Sequence, residues 1–233
     1  MKNSKKGNSS DKRVAVFVDG FNVYHFLDKT PGYNKYKWLN YRCLAEHYCP
    51  RGSIIVSIYY FTAFVKFDSE KNKRHNVFIR ALKTQNIITV KGKFKPVKRK
   101  FVLEDKSSTQ KFKTRDGWIQ GRIKTGYTFE EKKTDVNIAV YLLTKAIEDE
   151  YDIALVISGD TDFETALKAI KGKFLNKELI IVVPDRTIAG SLRYLAGKRN
   201  CFSLEEKHLK ASQLNDPIFL PNGDKITKPL NWA

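Results

Sequence analysis

The sequence predicts an α/β fold: a three-layer domain with a central, mostly parallel sheet and a basic β-hairpin insertion. Three observations lead to this prediction. Short β-branched apolar runs recur along the 233 residues, amphipathic helical patterns alternate with them, and one glycine-punctuated segment interrupts the alternation. The apolar runs are nearly continuous, which is typical of strands covered on both faces. Strands that alternate with helices favour right-handed crossovers around one core.

Five apolar runs predict strands, at residues 14–18, 54–61, 87–90, 153–157 and 179–183. Apolar residues spaced by three and four predict helices between them, at residues 69–84, 135–149 and after Asp162. Less regular patterns predict helices at residues 38–48, started by Asn40, and at residues 188–196.

One segment, residues 92–133, has no helical face. Four glycines and Pro96 separate short β-like pieces at residues 98–103 and 118–123. We interpret residues 91–133 as an insertion into a domain that spans residues 13–204. A flexible basic tail is expected over residues 1–12, and a C-terminal extension that wraps around the domain is expected over residues 205–233.

The charge balance points to a polyanionic partner. The chain has 43 Lys and Arg against 25 Asp and Glu, a net charge of +18. Residues 91–133 hold fourteen of the basic residues and five of the acidic ones, so half of the excess lies there. Interleaved aromatic residues favour single-stranded nucleic acid, with Lys95, Lys98, Arg99 and Lys100 as candidate contacts. A solvated hairpin whose aromatic residues face the core remains an alternative.

Other features limit the class of protein. No run of 18 apolar residues offers a membrane span, and the basic, polar start has no apolar region of a signal peptide, so we expect a cytoplasmic protein. The three cysteines are an odd number, which does not favour a disulfide framework. Cys43, His47 and Cys49 match no common zinc spacing, and we expect them to be structural.

Acidic residues follow the predicted strands. Asp19 follows the first, Asp160 and Asp162 follow the fourth, and Asp185 follows the fifth, whereas Asp135 stands at the start of a predicted helix. Each has an ordinary explanation, as a helix N-cap for Asp135 and Asp162 or as a turn residue for Asp160. Because ligand crevices lie beyond the carboxyl ends of parallel strands, the set together predicts a site for Mg²⁺ or Mn²⁺.

Four segments resemble one known family in order and spacing. VAVFVDGFNVYHFL, KKTDVNIAVYLLTKAI, YDIALVISGDTDFETALKAIK and LIIVVPD, between residues 13 and 202, are similar to the NYN (LabA-like) domain of the PIN-like nuclease superfamily. Each piece alone is weak evidence, and the combination is specific. The resemblance implies a PIN-like Rossmannoid core and a metal-dependent ribonuclease that cleaves single-stranded or structured RNA, with endonucleolytic action expected.

The resemblance also implies roles for individual residues. Asp19, Asp135, Asp160 and Asp162 would be catalytic and hold one or two Mg²⁺ or Mn²⁺ ions, while water attacks the phosphate in line and a 3′-hydroxyl leaves. Asn22 would be a further catalytic residue. Substrate contacts are expected from Lys133, Ser158 and Thr161. A polar residue is also usual in the family at the position of Asp185. Separately from the resemblance, we consider a homo-oligomer as a further expectation.

Some alternatives are excluded and one stays open. Asp19 is followed by Gly20 and Phe21, so the D-x-D of haloacid-dehalogenase-like phosphatases is missing, and Asp19 stands where a Toprim domain has Glu. No G-x-G-x-x-G follows Val18, which disfavours dinucleotide binding. A non-catalytic RNA-binding module on the same fold remains the alternative.

Overall fold

Strands and helices alternate along the chain as the apolar patterns predict. The computed structural model describes residues 11–64, 68–114, 117–185 and 189–232. Within these ranges the strands are β1 (Arg13–Asp19), β2 (Ile54–Thr62), β3 (Ile88–Lys91), β4 (Lys93–Glu104), β5 (Lys111–Thr114), β6 (Gly117–Lys132), β7 (Ile153–Ile157), β8 (Glu178–Val183), β9 (Cys201–Ser203), β10 (Ile218–Phe219) and β11 (Lys225–Ile226). The helices are α1 (Gly20–Lys29), α2 (Tyr41–Glu46), α3 (Ser69–Thr84), α4 (Thr134–Ile147), α5 (Glu164–Lys173), α6 (Gly190–Ala196) and α7 (Glu206–Ala211).

The central sheet has six strands in the order β3-β2-β1-β7-β8-β9, and every neighbouring pair is parallel. The five predicted strands are all present, and β9 is an additional edge strand of three residues. Because β1 lies between β2 and β7, the residues that follow β1 and β7 meet at one edge of the sheet. The predicted α/β class and parallel sheet are confirmed.

Helices cover both faces of this sheet. Successive residues of β1 point to opposite faces, and Val14, Val16 and Val18 pack in one apolar cluster with α1, α2, α3 and α7. Ala15 and Phe17 pack in a second cluster with α4, α5 and α6. The result is the predicted three-layer arrangement, which holds the carboxyl ends of the strands in fixed positions.

The insertion is a three-stranded antiparallel sheet in the order β4-β6-β5. The β4–β6 ladder pairs Lys93 with Lys132 at one end and Glu104 with Gly121 at the other. We call this pair of strands the basic ladder. The predicted hairpin is therefore present, with longer strands than the sequence indicated. Trp118 and Tyr127 are 68 % and 66 % exposed, so the alternative in which these aromatic residues face the core is wrong for both.

The C-terminal residues lie against the first apolar cluster. Trp232 is buried, with its ring 5.6 Å from that of Phe78 and 6.4 Å from that of Trp38. An isolated bridge joins Leu39 to Gln213. In the described part of the chain, no helix has the length and apolar character that crossing a membrane requires. The expected tail and one end of the helix predicted at residues 188–196 lie partly outside the described residues.

Candidate metal centre

Asp19 ends β1 and is the N-cap of α1, so the strand and the helix together fix its position. Its side chain is almost fully buried, at 4 % exposure. One carboxylate oxygen accepts a hydrogen bond from the Asn22 backbone N–H at 3.0 Å, and the other accepts from the Ser158 hydroxyl at 2.9 Å. Both hydrogen bonds hold the carboxylate in one orientation.

Gly20 allows the chain to turn directly from β1 into α1. A Cβ atom on Gly20 would lie 2.5 Å from Cζ of Tyr60 and 2.7 Å from the backbone oxygen of Phe61, both closer than packing permits. The glycine of the DGFN sequence therefore lets α1 begin against β2, which places Asn22 and Asp19 side by side.

The turn after β7 is tied to Asp19 and α1. The Gly159 N–H donates to Oδ1 of Asn22 at 2.9 Å, and the Ser158 hydroxyl accepts from the Asp160 N–H at 3.1 Å. Asp160 in turn accepts from the Asp162 N–H at 3.0 Å, so the turn role considered for Asp160 is present. Asn22 therefore positions the turn that carries Asp160.

Ser158 differs from its expected role. Its side chain is fully buried, and its hydroxyl is used by Asp19 and by the Asp160 backbone. A substrate cannot reach it, so the predicted substrate contact is corrected to a positioning role. Thr161, in contrast, is exposed at the surface of the same turn, where a substrate contact remains a prediction.

Asp135 lies in the first turn of α4, one residue after the helix begins at Thr134. The helix is preceded by Lys133, whose backbone is left-handed with φ of 84° and whose side chain makes no capping hydrogen bond. The N-cap explanation for Asp135 is therefore wrong, because the helix begins before it. That leaves its carboxylate available at the helix N-terminus, where negative charge is favoured.

Three carboxylates converge at this edge of the sheet. Asp19, Asp135 and Asp160 each place one oxygen within 4.8 Å of the others. Burial raises the pKa of Asp19 to about 6, with smaller contributions from the charges of Asp135 and Asp160. Burial also raises the pKa of Asp135, together with the charges of Asp160 and Asp162. Oxygen ligands that disfavour one another's negative charge are the donor set that a hard divalent cation stabilises.

Asp162 and Asp185 are not part of this group of three. Asp162 is exposed, and its charge raises the pKa of Asp135. None of its oxygens lies in the group of three. Helix α5 begins at Glu164 after Phe163, so the N-cap explanation for Asp162 is also wrong. Its role as a metal ligand remains a prediction. Asp185 is exposed two residues beyond β8, and its role remains a prediction.

Glu131 is an acid that the sequence did not single out. It lies near the end of β6, and burial raises its pKa to about 7, with contributions from the charges of Asp19 and Asp135. Its Oε1 is buried without a hydrogen-bond partner of ordinary geometry among the described residues, although the Thr134 hydroxyl approaches the side chain. Its position four residues before Asp135 could have indicated a further acidic group near the site, but we interpreted the segment as basic because Lys132 and Lys133 follow it.

The four candidate basic residues lie on opposite faces of the basic ladder. Lys98 and Lys100 alternate with Lys95 and Arg99 along β4, so each pair has its own face. Lys98 is opposite Tyr127, and Lys95 is opposite Glu130. Lys133 lies beyond the ladder, exposed beside Asp135. The structure thus brings Lys98 and Lys100 onto one face and leaves Lys95 and Arg99 on the other.

Arg99 is already paired with an acid. Its guanidinium forms a salt bridge with Glu130, which also accepts from Nζ of Lys132 at 2.9 Å. Both cations lower the pKa of Glu130. This face of the ladder is therefore partly neutralised.

The cysteine and histidine cluster considered for zinc is not assembled as a metal site. His47 stacks on His208 with ring centroids 4.4 Å apart, and Cys43 and Cys49 are free thiols. Among the described residues, the group of three aspartates is the only set of His, Cys, Asp or Glu close enough to hold a metal ion.

Comparison with known proteins agrees with the resemblance seen in the sequence. Residues 13–198 match the NYN domain family. The chain is also similar to 6-hydroxy-3-succinoylpyridine 3-monooxygenase HspA of Pseudomonas putida, at 28% identity over an alignment of 258 residues that covers 98% of this chain and 78% of that protein. The family match covers most of the chain and includes all three converging aspartates, and on that basis the chain belongs to the NYN domain family of the PIN-like nuclease superfamily.

Proposed function

We propose that this protein is a metal-dependent ribonuclease that hydrolyses RNA phosphodiester bonds, with endonucleolytic action. The observation that carries the proposal is the convergence of Asp19, Asp135 and Asp160 within 4.8 Å of one another in a chain of net charge +18. An acidic centre in a strongly basic protein suits a divalent cation together with a polyanionic substrate. RNA is the proposed partner, and a cytoplasmic location is part of the same proposal.

The aspartates would hold Mg²⁺ or Mn²⁺, which supplies Lewis acidity and lowers the pKa of bound water. The chain's own contribution is positional. Ser158 and the Asn22 N–H fix both oxygens of Asp19, and the Asn22 side chain fixes the turn that carries Asp160. These contacts maintain the spacing of the ligands without reorganisation during the reaction. Asp162 is proposed as an outer ligand beside Asp135.

The basic ladder would hold the RNA backbone on the face of Lys98 and Lys100. This face also carries Tyr127 and Phe129, which are exposed and offer stacking surfaces to unpaired bases. The ladder ends at Lys132, three residues before Asp135, so a strand bound along it is led to the aspartates. Lys133 and Thr161 are proposed contacts at that point.

The direct test is cleavage of labelled single-stranded RNA with and without Mn²⁺ or Mg²⁺. Asp19→Asn and Asp160→Asn are each expected to lower the rate by at least about 100-fold, because each removes a charged ligand. Both variants should still bind RNA, since the ladder is unchanged. A matched control is Asp224→Asn, which changes an exposed acid in the β10–β11 turn and should leave the rate unaltered.

Two results would contradict the proposal in different ways. Equal cleavage by the wild type and both variants would remove the aspartates from the site. Binding without metal-dependent cleavage of a broad RNA panel would favour the RNA-binding module, which is the alternative on this fold.

A second candidate follows from the similarity to HspA, whose name describes the monooxygenation of a substituted pyridine. Such a reaction incorporates one atom of O₂ into the ring and reduces the other to water with two electrons from a reductant. We favour it less, because three converging carboxylates are better suited to hydrolysis at phosphorus. Consumption of O₂ in the presence of 6-hydroxy-3-succinoylpyridine and a supplied two-electron reductant, with no cleavage of RNA, would reverse this preference.

A further inference from the structure

A cavity of about 650 Å³ opens beside the aspartates, on the side of the sheet covered by α1 and α3. It is bounded by Gly20, which follows Asp19, and by Glu131, whose pKa responds to Asp19 and Asp135. The three aspartates do not line the cavity themselves, and Gly20 and Glu131 connect it to the proposed metal centre. Its volume is within the range of sites that enclose a small ligand.

Aromatic rings from the core and from the basic ladder form one wall. Phe21 of α1 and Phe94 of β4 meet edge to face, with ring centroids 5.7 Å apart, and both line the cavity. Phe129 of β6 lines it as well and is 42 % exposed. Phe94, Phe129 and Glu131 share one face of the ladder, since Phe94 is opposite Glu131 and Phe129 is two residues before it. The same face continues outward to Tyr127.

Polar groups in the cavity are few. Glu131 lines the cavity, and its Oε1 is buried without a partner of ordinary geometry among the described residues, so a ligand meets both oxygens once the side chain turns toward it. His75 is directed to Thr62, with Nε2 at 3.1 Å from the hydroxyl, and burial lowers the pKa of His75 to about 4, so its ring is neutral at pH 7. An unpaired buried acceptor is costly, and a ligand that donates a hydrogen bond to it removes that cost.

Cations lie at the rim. Lys71 and Arg74, three residues apart on α3, both line the cavity. Lys71 contacts Asp68 at 3.6 Å, and Arg74 forms no salt bridge with any residue in the described ranges. Lys37 differs, because Asp28 already neutralises it and its ammonium lies 4.3 Å from the Tyr24 ring. Lys71 and Arg74 therefore offer charge to an anionic group at the mouth.

We propose that this cavity binds one nucleobase of the RNA strand next to the cleaved phosphodiester, with a preference for guanine. The proposal rests on the ribonuclease function. The aromatic wall stacks on the base, Glu131 accepts hydrogen bonds from its Watson–Crick edge, and Lys71 and Arg74 bind the adjoining phosphate. Guanine presents two neighbouring N–H donors to a carboxylate, whereas uracil presents one and the other two bases present only an exocyclic amine.

The experiment measures binding rather than cleavage, so its result does not depend on catalysis. Fluorescein-labelled pentaribonucleotides with a central G, A, C or U in an otherwise constant sequence are titrated with full-length protein in EDTA. The wild type is expected to bind the G oligonucleotide at least about fivefold more tightly than the others. Glu131→Gln should lose that preference and retain the affinity for the other three, because the amide replaces an acceptor by a donor.

Two further variants separate recognition of the base from binding of the RNA backbone, which does not depend on the base. Arg74→Gln should weaken all four oligonucleotides by a similar factor, about threefold to tenfold, because it contacts phosphate. Glu130→Gln is the matched control, since it removes the neighbouring acid on the opposite face of the ladder and should leave base preference unchanged. Circular dichroism of each variant verifies folding.

The outcomes are distinct from those of the cleavage assay. Equal affinity of the wild type for all four oligonucleotides would overturn the base site, whether or not RNA is cleaved. A preference that survives Glu131→Gln would also overturn it. Tight binding of a free heteroaromatic acid, with nicotinate as the probe, and none of the oligonucleotides would assign the cavity to small molecules. A base preference without cleavage would support the site and oppose the nuclease.

Discussion

The α/β core and the basic ladder solve different problems. The core buries its side chains on both faces of the sheet and fixes Asp19 with two hydrogen bonds. In the described part of the three-stranded insertion, only Ser108 and Gly121 are buried. Its strands are maintained by backbone pairing and by surface salt bridges, which contribute little to stability. From this difference we infer that the core positions the metal ligands and that the insertion binds the substrate.

The strongest way to break this comparison is to remove the ladder. Because Lys93 and Lys132 are paired at its base, residues 94–131 can be replaced by an Asn-Gly turn. The excision removes ten basic and five acidic residues together with Glu131 and Phe129. We expect RNA affinity to fall by at least about 100-fold at 0.1 M salt, while thermal unfolding of the core remains cooperative.

A control distinguishes a loss of RNA binding from a loss of the folded structure. Far-UV circular dichroism and the unfolding midpoint of the excised protein are compared with those of the wild type in EDTA. Unchanged RNA affinity would show that the core binds the RNA. A molten or unfolded product would show that the fold of the core depends on the insertion. Either result would remove the division of labour between the two regions.

The second prediction concerns charge inside the core. The folded-state pKa of Asp19, about 6, lies above its ordinary value of 3.8, so the metal-free folded state holds more protons between these values. Stability from this group is present at low pH and is lost as pH rises through 6. The difference between the two pKa values corresponds to roughly 3 kcal/mol in total, of which about half is lost between pH 5 and pH 7.5. Asp19→Asn should therefore be more stable relative to the wild type at pH 7.5 than at pH 5.

Urea unfolding in EDTA at the two pH values measures the effect as the change in the difference between wild type and variant. Titrating groups remote from Asp19 cancel in that comparison. The charge of Asp19 also raises the pKa of Glu131, so its removal acts on Glu131 in the same direction. Addition of Mn²⁺ at pH 7.5 should stabilise the wild type and leave Asp19→Asn nearly unchanged, since a ligand stabilises only the state that binds it. A pH-independent difference would mean that Asp19 is ordinarily solvated in the folded protein.

These two regions also differ in how far the sequence predicts them. The core strands were predictable because an apolar run such as residues 153–157 is buried on both faces. The meeting of Asp19 with Asp160 followed from strand ends at one edge of a parallel sheet. The starts of α4 and α5 were not predictable, because Lys133 and Phe163 precede these helices without a side-chain cap. The start of α2 was predictable, because Asn40 caps it with its side chain as expected.

The ladder was predictable only in outline. Glycines and β-like pieces indicated a hairpin, but the face on which each residue lies depends on register, which the sequence does not specify for exposed polar strands. Glu131 was missed for that reason, since the register that pairs it with Phe94 decides the face on which it lies. Lys71 and Arg74 could have been noticed as two cations one helical turn apart. We interpreted α3 only by its apolar face, which packs against the core.

The third prediction compares the two faces of the ladder with variants of equal charge change. Lys98→Gln with Lys100→Gln should weaken RNA binding by about threefold to tenfold and reduce the slope of log K against log salt by about 1.4, the value for two phosphate contacts on a single strand. Lys95→Gln with Arg99→Gln should have less effect, because Arg99 is already paired with Glu130. Equal slopes for the two double variants would show that RNA does not distinguish the faces.

The smallest predicted effect lies where the two regions join. Lys133 has a left-handed backbone, which costs a residue with a Cβ atom about 1–2 kcal/mol, while glycine adopts it freely. Because glycine also gains entropy in the unfolded chain, Lys133→Gly should stabilise the protein by a net of roughly 0.5–1 kcal/mol. Lys133→Ala keeps the Cβ atom and removes the same charge, so it should not stabilise.

Urea unfolding of both variants measures the backbone strain at residue 133, and RNA titrations of both measure the contribution of the lysine charge to binding. If both variants bind RNA less tightly and only the glycine variant is more stable, the strained backbone at Lys133 is retained for a lysine that contacts substrate beside Asp135. Equal stability of the two variants would mean that the left-handed turn carries no strain.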